Sequence, residues 1–365
     1  MRASVCAIVV AIGLAAHPAF AQADRAAATF WKTVQAACDA TAAKPPSELG
    51  QRIAQTAIDE FTSFGGHEID SNGRLFRFGL TEAEHEEDDV GHQRASLGHL
   101  GWWRVMKYWR ALYSDDTADK LEVRGYRDAS TLTEETQAAA LLRTTAARLL
   151  GLAEDVSDPA AREILREAAF RAAIIDTSWS AAFVSYVIRR SGVAANAFRF
   201  ANAHRVFIYD AFATSAAELT NEAGDRLYRA CPLTTRPRAG DLICNQREPA
   251  LADASDEAVR ERIRAELDGS ADARAVRRTH CEVVAYIDAP ARKMYTIGGN
   301  VNQAVTARKL NLRRDSKFSA AQKGSCGGSG HWTLPQPSAH RPHAHSVADN
   351  CSLNHKKWFV LLQLR

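Results

Sequence analysis

Apolar positions recur at helical spacing in the first half of the chain and at strand-like spacing in the second, which predicts helices followed by strands. Residues Ala26 to Ala43 set Phe30, Val34 and Cys38 four apart and stop at Pro45-Pro46, a short helix. Ser47 is a good N-cap for the next, in which Leu49, Ile53, Ala57, Ile58 and Phe61 form one face that ends at Gly65-Gly66. Trp102 to Trp109 opens another helix with Trp102, Met106 and Trp109 on one side, a spacing that reads as core. Residues 115–170 are rich in Ala, Leu, Glu and Arg. They carry helix starts at Thr131-Leu132-Thr133-Glu134 and Ser157-Asp158-Pro159, and read as a helical insertion. Asp176-Thr177-Ser178 then supply caps for a helix that places Ser180, Val184 and Val187 on one face and stops near Gly192.

Strand-like pieces follow: Arg238 to Cys244, His280 to Ile287, Lys293 to Asn300, and the closing Lys357 to Leu364. A helix followed by an antiparallel run is α+β order rather than the alternation of a parallel sheet. The expected segments are 22–46 as a helix and linker, 47–316 as the domain with its insertion at 115–170, 317–355 as a flexible Gly/Pro/His-rich excursion, and 356–365 as the final strand. That excursion holds His331, His340, His343, His345 and His355 among Gly, Ser and Pro.

Residues 1–21 change the picture of where the chain works. Arg2, an apolar run from Val5 to Ala16, and Ala19-Phe20-Ala21 together resemble an export signal cut after Ala21. No later stretch nears the roughly 18 apolar residues of a membrane helix, so a periplasmic or secreted protein without a membrane span is expected. Without Cys6 six cysteines remain, Cys38, Cys231, Cys244, Cys281, Cys326 and Cys351, in a compartment that permits disulfides. Cys326 and Cys351 bracket the excursion and are the favoured staple. A composition 46% hydrophobic and 24% charged, with net charge +3, is that of an ordinary globular protein. It shows no basic stripe with interleaved aromatics, which argues against nucleic acid as a partner. The acidic run Glu82 to Asp89, with His92 and His99 beyond it, reads as a solvated face; neither metal nor cofactor is expected.

The candidate chemistry centres on Ser180, in Trp179-Ser180-Ala181-Ala182-Phe183-Val184. A hydroxyl at a helix start lies where free N–H groups and the helix dipole favour developing negative charge. His280 opens a strand and can serve as base, and Asn300, after Gly298-Gly299, can orient the ring. Serine catalysis ordinarily relies on a carboxylate at that third place, and Glu282, two residues along the strand from His280, can supply one. His204 is expected on the loop after the helix, at the cleft.

In order, these places resemble the papain-like cell-wall hydrolases of the NlpC and CHAP types. Those carry a nucleophile at a helix start, then Gly-Asp (here Gly240-Asp241) before a strand, a histidine opening the next strand, and a polar residue on the strand after. More narrowly, Trp179 to Ser185 with the later His and Gly-Gly-Asn is similar to the bacterial family called domain of unknown function 2272, over about Ser47 to Ser316 plus the last strand. The resemblance implies a papain-like α+β fold with the nucleophile helix packed on an antiparallel sheet, and a catalytic set Ser180, His280 and Asn300 supported by Glu282, His204, Trp179 and Asp241. Three functions follow as expectations: a hydrolase of amide or peptide bonds in cell-wall peptide, a catalytically silent module binding such a peptide or a protein, or an envelope serine esterase.

Overall fold

Local chemistry sets the first elements. In a computed structural model that describes residues 18–83, 101–124, 143–269, 276–322 and 353–365, helix α1 runs Pro18–Ala42 and α2 runs Glu48–Ser63. The Ser47 hydroxyl accepts from the Gly50 N–H, capping α2 as its sequence predicts. Gly65 and Gly66 then reverse the chain at φ +74° and +76°, a conformation that suits glycine. Short strands β1 (His67–Ile69) and β2 (Leu75–Arg77) follow. Beyond residues 84–100 come α3 (Gly101–Tyr113), α4 (Thr117–Lys120), β3 (Glu122–Arg124), β4 (Arg143–Thr145), α5 (Ala146–Glu154) and α6 (Pro159–Asp176). Asp158 caps α6 with Pro159 just inside, as predicted. Among the described residues of the expected insertion, helices surround the small β3–β4 pair, and the helix start expected at Thr131 lies outside them.

Helix α7 spans Ser180–Arg190 and α8 spans His204–Glu218. The rest is mostly strand: β5 (Tyr228–Cys231), β6 (Leu242–Gln246), α9 (Asp256–Leu267), β7 (Thr279–Asp288), β8 (Lys293–Val301), β9 (Ala304–Asn311) and β10 (Lys357–Leu364). One mixed sheet of eight strands has the order β2-β1-β9-β8-β7-β6-β10-β5. The expectation of an antiparallel sheet is corrected at one seam: β1 pairs parallel to β9, with His67 beside Thr306. The chain reaches β9 from β1 only after the helical layer, which gives the crossover a parallel pair needs.

Both faces of the central strands are covered. Leu242, Cys244, Val283, Ile297 and Leu362 join Trp109, Phe183 and Phe212 in the main core, whereas Ile243, Val284, Met294 and Leu361 meet Val34 and Cys38 of α1 in a second. Two-sided burial explains why the closing strand reads as continuously apolar instead of alternating. Among the described residues two disulfides form: Cys38–Cys231 ties α1 to β5 of the sheet, and Cys244–Cys281 joins facing residues of the neighbouring strands β6 and β7. Segment 22–46 is thus bonded to the sheet. The favoured Cys326–Cys351 pair, the excursion at 323–352, most of the acidic run, and residues 1–17 lie outside the described residues. Among the described residues no helix is long and apolar enough to cross a membrane. The two disulfides fit a protein working outside the cytoplasm.

Candidate active site

Ser180 is the first residue of α7 and is buried. The caps expected for it work elsewhere: Asp176 ends α6, and the Asp176 and Thr177 side chains accept the backbone N–H groups of Arg124 and Glu122. Trp179 stands at the N-cap without a side-chain cap bond, so the first N–H groups of α7 have no such partner. The Trp179 ring is fully buried, stacks on Phe64, and donates its Nε1–H to Glu82. Glu82 is buried by its surroundings, which raise its carboxyl to about 7 against the indole donor. On the sheet side β8 comes close enough that a Cβ on Gly299 would lie 2.4 Å from the Phe183 Cβ. Indole anchor and glycine seam together fix the start of α7 against the sheet.

The imidazole touching Ser180 is that of His204. Its Nε2 lies 2.8 Å from Ser180 Oγ, in place of the expected His280. His204 is also not on a loop; it opens α8 and is buried. Its Nδ1 accepts the Cys281 N–H at 3.2 Å, so the ring proton sits on Nε2 and is donated to Ser180. Burial, then His280 and Arg247, hold this ring well below its usual pKa, neutral at physiological pH.

His280 packs edge-on against His204, ring centroids 4.9 Å apart, and places Nε2 at 3.5 Å from Glu282. Burial pushes its pKa down while Glu282 pulls it up, with a net lowering. Glu282 would itself be raised by burial, but Arg308, His280 and Thr296 hold it at about 2, so a full carboxylate faces the imidazole. Arg308 Nε donates to Glu282 at 3.0 Å, and the Thr296 hydroxyl donates to the other oxygen. Asn300 sits at φ 53° after the β8 bulge and lines a cavity of about 160 Å³ with His280. Glu282 is thus the carboxylate beside His280 Nε2, at ion-pair distance, and that nitrogen has no hydrogen-bond partner among the described residues. Asp241 stands apart: its carboxylate accepts the N–H groups of Arg238 and Leu364, each at 2.8 Å, and joins the start of β6 to β10. Burial raises it to about 7 in spite of those donors.

A buried Ser–His–His–Glu cluster at a helix start, on a mixed sheet covered by helices, marks an α+β protein built around one polar site. The chain belongs to the bacterial family described as "Uncharacterized protein conserved in bacteria (DUF2272)", whose model matches residues 97–364. The match begins later than Ser47 and runs through the 317–355 segment that the sequence reading placed outside it. No curated protein and no solved structure matches the chain.

Proposed function

We propose that the chain is an exported, papain-like serine hydrolase that transfers an acyl group to water at an amide or peptide bond of the cell wall. Ser180 is the nucleophile, His280 the base and Glu282 its carboxylate partner. The observation that carries this reading is the ionised Glu282 at 3.5 Å from His280 Nε2. The contact is an ion-pair distance and not a hydrogen bond, and the carboxylate's charge favours a ring proton on Nε2, leaving Nδ1 as the proton acceptor, the orientation a third member supplies in a triad. His204 also carries its ring proton on Nε2, but there Nε2 is the nitrogen that faces Ser180, so it donates to Oγ and cannot take its proton. Its part is to steady negative charge on Oγ.

In the acylation step the Oγ–C bond forms as the Ser180 proton passes to His280 Nδ1, and the oxyanion develops beside the α7 N-terminus, where each N–H donor is worth about 3 kcal/mol. Collapse expels the amine, which takes the proton from His280. Water then attacks the acyl-serine by the same proton path in reverse. The productive complex needs Oγ to move from His204 to within about 3 Å of His280 Nδ1.

A fluorophosphonate probe tests the nucleophile. Labelling should fall on Ser180, vanish in Ser180→Ala and slow about 100-fold or more in His280→Ala. Release of muropeptides from sacculi distinguishes amide cleavage from the envelope esterase, which would attack only small esters. The resting donor bond from His204 favours one other reading, a silent module that binds envelope peptide. Saturable peptide binding with no labelling and no turnover would establish it.

A further inference from the structure

Two cavities flank the paired imidazoles. One, about 380 Å³, contains Ser180 and His204 and is bordered by Arg247, Arg277 and Arg278. The other, about 160 Å³, contains His280 and Asn300 and is bordered by Arg247, Arg308 and Lys356. Arg247 is common to both, and among the described residues no carboxylate lines either wall. Arg308 is neutralised by Glu282. Arg247, Arg278 and Lys356 have no ion pair among the described residues; the Arg247 guanidinium reaches only the Thr279 carbonyl, at 3.4 Å. Glu248 accepts the backbone N–H groups of Arg277 and Arg278, which fixes the strand entry that carries both side chains. The Arg247, Arg278 and Lys356 side chains all reach solvent; partial desolvation and the charge on Arg278 disfavour the Arg247 cation, and at Lys356 partial desolvation, Arg308 and Arg247 outweigh the pull of Glu282. Cations outnumber carboxylates around the cleft and their side chains repel one another, and an anionic ligand relieves that repulsion.

We infer that the cleft takes a ligand bearing an oxyanion, a carboxylate or phosphoryl group, beside the bond presented to Ser180, with Arg247 and Arg278 as its receptor. The fork of an arginine matches either group, and their position at the mouth places the anion next to the nucleophile. This deepens the hydrolase reading and shares its site, but binding needs no turnover, so the two fail separately.

The Ser180→Ala protein, titrated calorimetrically with N-acetyl-alanyl-alanine, its C-terminal amide and inorganic phosphate, gives the test. The free acid should bind at least tenfold more tightly than the amide, with a preference that weakens as salt rises and is lost in Arg247→Gln and Arg278→Gln. Arg247→Lys, which keeps the charge, should retain part of it and shows that loss in Arg247→Gln is not misfolding. Phosphate binding as tight as the free acid assigns the site to phosphoryl groups, and weaker phosphate binding to carboxylates. Equal affinity for acid and amide, or no binding by either anion, overturns the inference. An anion preference without fluorophosphonate labelling of the wild type would remove the hydrolase reading and leave this one standing.

Discussion

Glu82 shows how much one buried group can bend the pH profile. Its folded pKa of about 7 lies above the ordinary carboxylate value, so its contribution to stability is present at low pH and is lost as pH rises through 7. Gln at this position keeps an acceptor for the Trp179 indole and removes the titration. Glu82→Gln should therefore match the wild type at pH 4 and exceed it at pH 8 by on the order of 2 kcal/mol, read from urea midpoints. Asp241, also raised to about 7, acts in the same direction. Glu282 acts in the opposite one: depressed to about 2, it supports the fold above its ordinary pKa and withdraws that support as pH falls from about 4.5 towards 2. A stability maximum near pH 4.5 to 5 follows, and a curve still rising from pH 5 to 8 would contradict it. Of these groups, Ser180, His280 and Glu282 were legible in the sequence because their spacing on a helix start and a strand fixes which way they face. His204 was legible only as a residue near the cleft. What makes it Ser180's partner is the approach of the α8 start to Cys281, a long-range contact that no local spacing encodes.

Among the elements, glycines mark where two backbones press together. A Cβ on Gly240, at φ +92°, would meet the Gly50 Cα at 2.4 Å, with only backbone to yield. One on Gly299 would meet Phe183 at 2.4 Å and Trp179 at 2.8 Å. Gly240→Ala and Gly299→Ala should each cost about 1–3 kcal/mol or more, and Gly299→Ala should also slow Ser180 labelling because it pushes on the start of α7. Gly151, in α5 with open space around it, is the control: Gly151→Ala should stabilise by up to about 1 kcal/mol in thermal unfolding. The helix starts at Ser47 and Asp158 were readable because a capping side chain acts within three residues. Helix α8 was not. It is apolar around most of its circumference and starts at Ala203, which offers no capping side chain.

Among the described residues two disulfides have separate tasks. Cys38–Cys231 closes 193 residues and Cys244–Cys281 closes 37, so chain entropy assigns the first about 5 kcal/mol and the second about 4. Paired Cys→Ala replacement should lower Tm in both cases and more in the first. Only loss of Cys244–Cys281 should also reduce Ser180 labelling, because the Cys281 N–H holds the His204 tautomer. Pairing across such distances is invisible to local pattern, whereas the expected Cys326–Cys351 pair lies outside the described residues.

Strand β10 lies between β5 and β6, although more than a hundred residues of chain separate it from either. Until it arrives, β5 stands apart at one end of the sheet and β6 presents an unpaired edge, and bringing β10 between them is a slow search over a long loop. The chain should therefore dwell in a loosely ordered state before β10 docks. Stopped-flow refolding with the disulfides intact should show the β10 tryptophan, Trp358, reaching its native environment in the last phase.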